Sequence, residues 1–297
     1  MAMPAKALLL INPNSRNGKG AQIDEGIKLL QQGGTDVVVK TISKSVTATH
    51  VIEDLHNEIQ LVIIGGGDGT INSALPALHK FRLPFAILPL GTANDLARSL
   101  GIPTDIESAF NVIYENNYRK INLGIVNDHY FLNVAHIGLG VKVTKELTPD
   151  LKRKWGVFSY LKAALSAFEQ SKRFYLTIRK DGKSFSMKSI QVAVGNGRYY
   201  GGGNVIDEES EIDDGLLRLY SLYPATFWQL LTCAPLLRMG KHKQTHNTFT
   251  LSGKDIEIST QPPLEIHADG EQVSRTPAVF KVIPEALDVI CPAITAE

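Results

Sequence analysis

Gln60-Leu61-Val62-Ile63-Ile64 runs directly into Gly65-Gly66-Gly67-Asp68-Gly69-Thr70, and this junction constrains the fold more than any other segment. A short strand apolar on both faces needs cover on both, the usual condition of a parallel sheet layered between helices. The glycines that follow allow a sharp turn and leave backbone N–H groups open to anionic oxygens. Thr70 then opens a helix, whose positive end adds to the same field.

The flanking segments repeat the pattern. Lys6–Ile11 reads as a strand stopped by Asn12-Pro13, and Ile23, Ile27, Leu29 and Leu30 form a helical stripe ended by Gly33-Gly34. Asp36–Lys40 is a β-branched run, and Val46–Leu55 is a helix candidate. Thr70–His79 is read as one helix, Phe85–Leu88 as a strand and Asn94–Leu100 as a helix. This alternation predicts a doubly wound α/β unit, with ligands outside the carboxyl ends of its strands.

The rhythm changes near Asn122. Strand candidates then follow one another: Ile121–Val126, Tyr130–His136, Phe174–Lys180, Phe185–Gly195, Leu216–Leu222, Thr248–Leu251, Asp255–Ser259, Leu264–Ala268, Ala278–Ile283 and Leu287–Ile290. Short turns such as Lys180-Asp181-Gly182-Lys183 argue for a mainly antiparallel β-sandwich, interrupted by helical stretches at Val157–Glu169 and Thr226–Arg238. With 297 residues, more than one core usually holds, the expected division is 1–123 and 124–297, with a cleft between. No internal repeat is visible.

A net charge of +1 excludes a globally basic nucleic-acid binder. Cys233 and Cys291 stand far apart without partners at metal-ligand spacing, as reduced thiols do in a cytoplasmic protein. No apolar run approaches the roughly 20 residues that cross a bilayer, and Ala7–Ile11 leads into Asn-Pro-Asn without a cleavage-type site.

The glycine loop carries Asp68, a residue that suits a phosphate cradle when a cation lies between them. It lacks the spacing of the dinucleotide fingerprint and the Gly-Lys-Ser/Thr ending of a Walker loop. A plain capped turn is the alternative. Leu88-Pro89-Leu90-Gly91-Thr92-Ala93-Asn94-Asp95 forms a second strand-to-helix junction, where Thr92 can donate to phosphate or ribose and Asp95 can cap the helix or join a metal network. Asn12-Pro13-Asn14-Ser15-Arg16-Asn17-Gly18-Lys19-Gly20 offers polar and basic groups suited to a polyphosphate. Glu265-Ile266-His267-Ala268-Asp269-Gly270-Glu271 reads first as an Asp-Gly hairpin. The acidic run Asp207–Asp214 before Gly215 suits a hard cation or a solvated loop.

In this order GGGDGTIN, LPLGTAND, FLNVAHIGLG, VGNGRYYGGG, IDDGLL and HADGE resemble the diacylglycerol kinase catalytic superfamily, nearest its soluble bacterial lipid kinases. The motifs span residues 12 to 271. The resemblance implies an ATP site contacted by Asn12, Pro13, Asn14, Ser15, Arg16, Thr41, Gly67, Asp68, Gly69, Thr70, Ile71, Asn72, Ser73 and Thr92. It implies Glu271 as the proton acceptor with Asp269 beside it, and a structural Mg²⁺ held by Glu211, Asp214 and the Leu216 carbonyl. The implied reaction moves the γ-phosphoryl of ATP, with Mg²⁺, to a lipid hydroxyl of diacylglycerol, phosphatidylglycerol or sphingoid type.

Three positions depart from the family pattern. Ser73 stands where Glu is common, and Asn122 where Asp contributes to a metal-linked network with Asp68 and Asp95. Glu208-Glu209-Ser210 replaces Pro-x-Ala. Lys142, Lys145, Lys152, Arg153 and Lys154 precede Trp155 and an apolar stretch, a pattern suited to anionic headgroups at the inner membrane surface or to a solvated face. The expected partners are a lipid and a nucleotide, without nucleic acid, and a homodimer is left open. The rivals are an NAD kinase-like enzyme, which shares the glycine loop, and a lipid- or nucleotide-binding regulator without catalysis.

Overall fold

The computed structural model describes residues 3–13, 15, 21–43, 45–139, 173–223, 226, 228–229, 236, 238–241 and 247–293. The expected helices at Val157–Glu169 and Thr226–Arg238, the basic stretch before Trp155, Asn14, Arg16 and Cys233 lie wholly or mostly outside them.

The first half runs β1 (Lys6–Ile11), α1 (Ala21–Gln32), β2 (Asp36–Thr41), α2 (Ala48–Leu55), β3 (Leu61–Gly66), α3 (Asp68–Asn72), α4 (Leu75–Phe81), β4 (Phe85–Pro89), α5 (Asp95–Ser99) and α6 (Ile106–Glu115). β5 (Tyr118–Val126), β6 (His129–Phe131), β7 (Val134–Gly138), β8 (Phe174–Lys180), β9 (Lys183–Ser189) and β10 (Gln191–Gly195) follow. The chain continues through β11 (Tyr199–Tyr200), β12 (Asn204–Val205), β13 (Leu217–Leu222) and β14 (Thr248–Gly253). It closes with β15 (Asp255–Gln261), β16 (Glu265–Ala268), β17 (Glu271–Arg275) and β18 (Ala278–Ile290).

β2, β1, β3 and β4 pair in parallel in that order, and every residue of β3 is buried. α1 packs on α6 and α2 on α4, so helices cover the apolar strands. The expected single helix over Thr70–His79 is two. Pro76 enters the first turn of α4, where its missing N–H costs nothing, but inside a continuous helix it would break the hydrogen-bond ladder. α6 has no counterpart in the sequence expectations. It is capped by the Asp105 carboxylate, which accepts the Ser108 N–H at 2.8 Å, and it buries Ile106, Ala109, Phe110, Val112 and Ile113.

The second half is the expected antiparallel sandwich. A six-stranded sheet, ordered β14-β13-β10-β7-β16-β17, packs on strands of a ten-stranded sheet. Val126, Phe131, Ile178, Ile258 and Phe280 meet Ile137, Val192, Leu219, Ile266 and Ala268 in the core between them. The Asp181-Gly182 turn closes β8 on β9 with φ of 49° and 72°, the left-handed pair that a two-residue hairpin requires.

The segments Ala278–Ile283 and Leu287–Ile290 form one strand, β18, irregular between Ile283 and Leu287. β18 pairs with β15 at its start, with β4 at Val289 and with β5 along most of its length. The parallel sheet and one sandwich sheet are thereby a single sheet. Leu287, Val289 and Ile290 sit in the same core as Leu9 and Ile63.

Candidate functional site

Two glycine-bearing loops leave the adjacent parallel strands β3 and β4 and pack against each other. A Cβ on Gly67 would lie 3.0 Å from the Gly91 Cα, and one on Gly91 only 2.4 Å from the Gly67 Cα. Both glycines are therefore required by the contact between loops. Gly69 differs, because a Cβ there meets nothing within 4 Å. The Asn94 side chain, in the left-handed region at φ 50°, fixes the second loop: its Oδ1 accepts the Gly91 N–H at 3.0 Å, and its Nδ2 donates to the Pro89 and Gly91 carbonyls at 3.2 and 3.1 Å.

Three carboxylates then tie this layer together by accepting backbone N–H groups. Asp68 accepts from Asp95 and Leu96, both at 3.1 Å, and so caps α5. Asp95 accepts from Gly202 and Gly203, both at 2.9 Å. Gly201, Gly202 and Gly203 have φ of 58°, 86° and 101°, a run that side chains resist, and it aims successive amides at one anion. Asp269 accepts from Leu132 at 2.7 Å and from Asn133 and Val134 at 3.0 Å. Burial holds the Asp95 carboxyl above its usual range, against the Gly202 and Gly203 amides, and the Asp68 charge adds to the rise. Burial likewise pushes Asp269 up to about 6 against its three amides, with Asp68 again adding.

Asp269 and Gly270 (φ 46° and 94°) form the turn between β16 and β17, where Ala268 pairs with Glu271. The Asp-Gly pair is thus a hairpin turn, as its composition suggests, and its carboxylate also anchors a loop far away in sequence. Glu271 is exposed and makes no hydrogen bond or ion pair with the described residues. It lines a groove of ≈ 370 Å³ with Asn12, Ile42, Ser43, Thr47, Ala48, Gly69, Thr70 and Ser73. Asn12 Nδ2 donates to Thr70 Oγ1 at 3.1 Å, joining the end of β1 to the glycine loop. A larger concavity of ≈ 480 Å³ lies on the face of β8, β9 and β15. It is lined by Tyr175, Thr177, Lys188 and their neighbours, with no carboxylate and no glycine loop.

The groove gathers Asn12, Gly69, Thr70, Ser73 and Glu271 from the expected set, and Thr41 directly precedes its lining residue Ile42. Thr92 is exposed on the second loop, whereas Ile71 is buried and Asn72 has a buried Oδ1 without a hydrogen-bond partner among the described residues. Sequence reasoning missed Ile42, Ser43, Thr47 and Ala48. Their signal is one more strand-to-helix junction, where Thr47 caps α2 by accepting the His50 N–H. It also missed Gly202 and Gly203 as partners of Asp95. Asn122, which stands where the family's Asp would join the carboxylate network, donates its backbone N–H to the Ile212 carbonyl at 2.8 Å, and its side-chain Oδ1 accepts the Glu285 N–H at 3.3 Å.

In the acidic loop before Gly215, Asp214 is the most engaged of the three residues expected to hold a cation. Asp214 Oδ1 accepts the Leu216 N–H at 2.8 Å, and its Oδ2 accepts from Arg218 at 2.8 Å and from the Glu211 N–H at 3.3 Å. Arg119 lies 2.7 Å from Asp213 and 3.6 Å from Glu211. Among the described residues no group of three or more His, Cys, Asp or Glu side chains is arranged to hold a metal ion. Nor is any described helix long and apolar enough to cross a membrane.

Comparison with known proteins places these features in context. Residues 6–126 match the model of the diacylglycerol kinase catalytic domain, and residues 134–291 match that of the YegS C-terminal NAD kinase beta sandwich-like domain. A Klebsiella pneumoniae protein named "Probable lipid kinase YegS-like" is 33% identical over 96% of this chain and 95% of its own length. A Staphylococcus aureus protein named diacylglycerol kinase is 28% identical over 98% of this chain and 93% of its own. The crystal structure of a diacylglycerol kinase from Bacillus anthracis shares the fold with a TM-score of 0.76 at 22% identity, over 99% of both chains. With both halves matched in order and a relative aligned along nearly the whole length, the chain belongs to the diacylglycerol kinase catalytic family, in the group that carries a YegS-type C-terminal sandwich.

Proposed function

We propose that this protein transfers the γ-phosphoryl group of ATP, delivered as its magnesium complex, to the hydroxyl of a lipid. One observation carries the reading: Glu271, exposed and without a hydrogen bond or ion pair among the described residues, lines a single groove together with Gly69 and Thr70. The names of the lipid kinase from Klebsiella and the diacylglycerol kinase from Staphylococcus support a lipid alcohol as acceptor.

On this reading the phosphates lie against Gly69 in the first turn of α3, where even an added Cβ would meet nothing within 4 Å, and Asn12, Ser43, Thr47, Thr70 and Ser73 supply polar contacts along the groove. Mg²⁺ comes with the nucleotide and neutralises phosphate charge. Glu271 takes the proton of the acceptor hydroxyl as its oxygen attacks the γ-phosphorus, and the bond to the bridging oxygen breaks to release ADP. Asp68, Asp95 and Asp269 have their oxygens on backbone amides, so their part is to hold the loops that shape the groove. The acceptor is reached from the water side, at the membrane surface.

The test is transfer of radiolabelled phosphate from ATP to diacylglycerol, phosphatidylglycerol and sphingoid bases in mixed micelles, with NAD as a further acceptor. Wild type should label at least one lipid. Glu271→Gln should lower kcat by about 100- to 10,000-fold, the usual contribution of a general base, with ATP affinity nearly intact. Labelling of NAD alone would establish an NAD kinase. ATP binding without transfer to any acceptor would leave a binding protein. Wild-type turnover by Glu271→Gln would place the base elsewhere.

A further inference from the structure

The acidic loop between β12 and β13 is where resemblance to the family implies a structural Mg²⁺, and its central carboxylate, Asp214, is already partnered otherwise. We propose that Arg119 and Arg218 take the place of a divalent cation in this chain, offsetting part of the charge of Glu211, Asp213 and Asp214 and docking the sandwich onto the α/β unit.

Glu211, Asp213 and Asp214 bring three negative charges. Arg218 reaches Asp214 at 2.8 Å, and Arg119 reaches Asp213 at 2.7 Å and Glu211 at 3.6 Å. Two guanidinium groups carry the charge of one divalent ion, and they keep it at every pH a folded protein meets. Their side chains are mostly withdrawn from solvent, Arg119 to 20% exposure and Arg218 to 12%, so these pairs are screened less than ordinary surface pairs.

Geometry separates the two counter-ions. Mg²⁺ demands a near-octahedral shell of oxygens at about 2.0–2.1 Å. Here Asp214 bonds the Leu216 N–H, the Glu211 N–H and the Arg218 guanidinium, so an ion would have to displace an arginine already in contact. The fork of a guanidinium, by contrast, matches a carboxylate edge without stripping a tight hydration shell.

The loop's position explains why its charge must be settled. Ile212 is buried in the α/β core, and its carbonyl accepts the Asn122 N–H from β5 at 2.8 Å. Arg119 lies on β5 as well, and Arg218 on β13 of the six-stranded sheet. The two arginines therefore hold the loop from both sides of the junction, and the groove depends on how that junction sits. Mg²⁺ is then needed only with the nucleotide.

Thermal unfolding without nucleotide tests this, in EDTA and in 5 mM Mg²⁺, together with the metal content of the purified protein. Wild type should melt within about 1 °C in both and carry far less than one metal ion per chain. Arg218→Gln should melt several degrees lower, and Arg218→Lys, which keeps the charge but loses the fork, should fall between. A ligand that binds only the folded state raises the melting temperature by mass action. A wild-type rise of about 5 °C or more in Mg²⁺ that Asp214→Asn abolishes would overturn the proposal. So would an Arg218→Gln protein as stable as wild type. Because no nucleotide or lipid is present, neither result depends on the proposed kinase reaction.

Discussion

Asp269 sets two physical effects against each other, and their balance is measurable. Its carboxylate accepts three backbone N–H bonds, an arrangement that by itself favours the charged form. Burial and the nearby Asp68 charge favour the neutral form, and they win, moving the group from 3.8 to about 6. A folded-state pKa above the unfolded one means that the native protein binds the proton more tightly. The resulting stability is fully present below pH 3.8 and is lost as pH rises through about 6. At about 1.4 kcal/mol per unit, the whole window is worth up to about 3 kcal/mol. The turn leaves Asp269 partly exposed, so this is an upper bound. Between pH 7 and pH 5 the same linkage yields about 1 kcal/mol. The perturbation is Asp269→Asn, which cannot titrate. The assay is urea unfolding of both proteins at pH 5, 6 and 7, because the difference between them cancels the titrating groups that do not interact with Asp269. Wild type should gain about 1 kcal/mol on Asp269→Asn as pH falls from 7 to 5. A wild type that instead loses stability relative to the variant would refute the reasoning, since the amides would then have outweighed burial.

The glycine loops separate packing from binding. Gly91→Ala should lower the melting temperature by about 3–10 °C, because overpacking typically costs about 1–3 kcal/mol, and an unshifted curve would contradict the 2.4 Å approach to Gly67. Gly69→Val should leave the melting temperature near wild type while ATP affinity, measured by calorimetry, drops about tenfold or more, the equivalent of roughly 1.4 kcal/mol. Unchanged affinity would remove phosphate from that turn. Asp95→Asn should turn an amide group toward one of the Gly202 and Gly203 N–H donors and cost about 1–3 kcal/mol. Hydrogen exchange around Gly202 should speed up with it, and wild-type exchange would show that this bond does not hold the hairpin.

The alternation of strands and helices was legible because β3 and β4 are apolar on both faces, and the sandwich because its strands are punctuated by turns such as Asp181-Gly182. α6 was equally legible, with Asp105 before a helical stripe at Ile106, Ala109, Phe110 and Ile113, and was overlooked. The break between α3 and α4 was signalled by Pro76. The site was visible as motifs but not as geometry. Gly67 and Gly91 look like phosphate-binding glycines, yet each is also held small by the other. Asp269 reads as a turn residue because its partners, Leu132 to Val134, lie more than a hundred positions earlier. The pairing of Arg218 with Asp214 was within reach, four residues apart, whereas that of Arg119 with Asp213 needs the fold to bring β5 beneath the acidic loop.

β18 gives the chain a particular order of events during synthesis. Phe85 of β4 finds its strand partner at Val289, so about two hundred residues must be made before that bridge can form. At the usual pace of about 5–20 residues per second, the four parallel strands wait roughly 10–40 s beside an open, apolar edge. A ribosome-bound chain of this length is a natural client for a chaperone that shields strand edges. Any change that slows translation after β4 lengthens that exposure without altering a single contact of the finished protein.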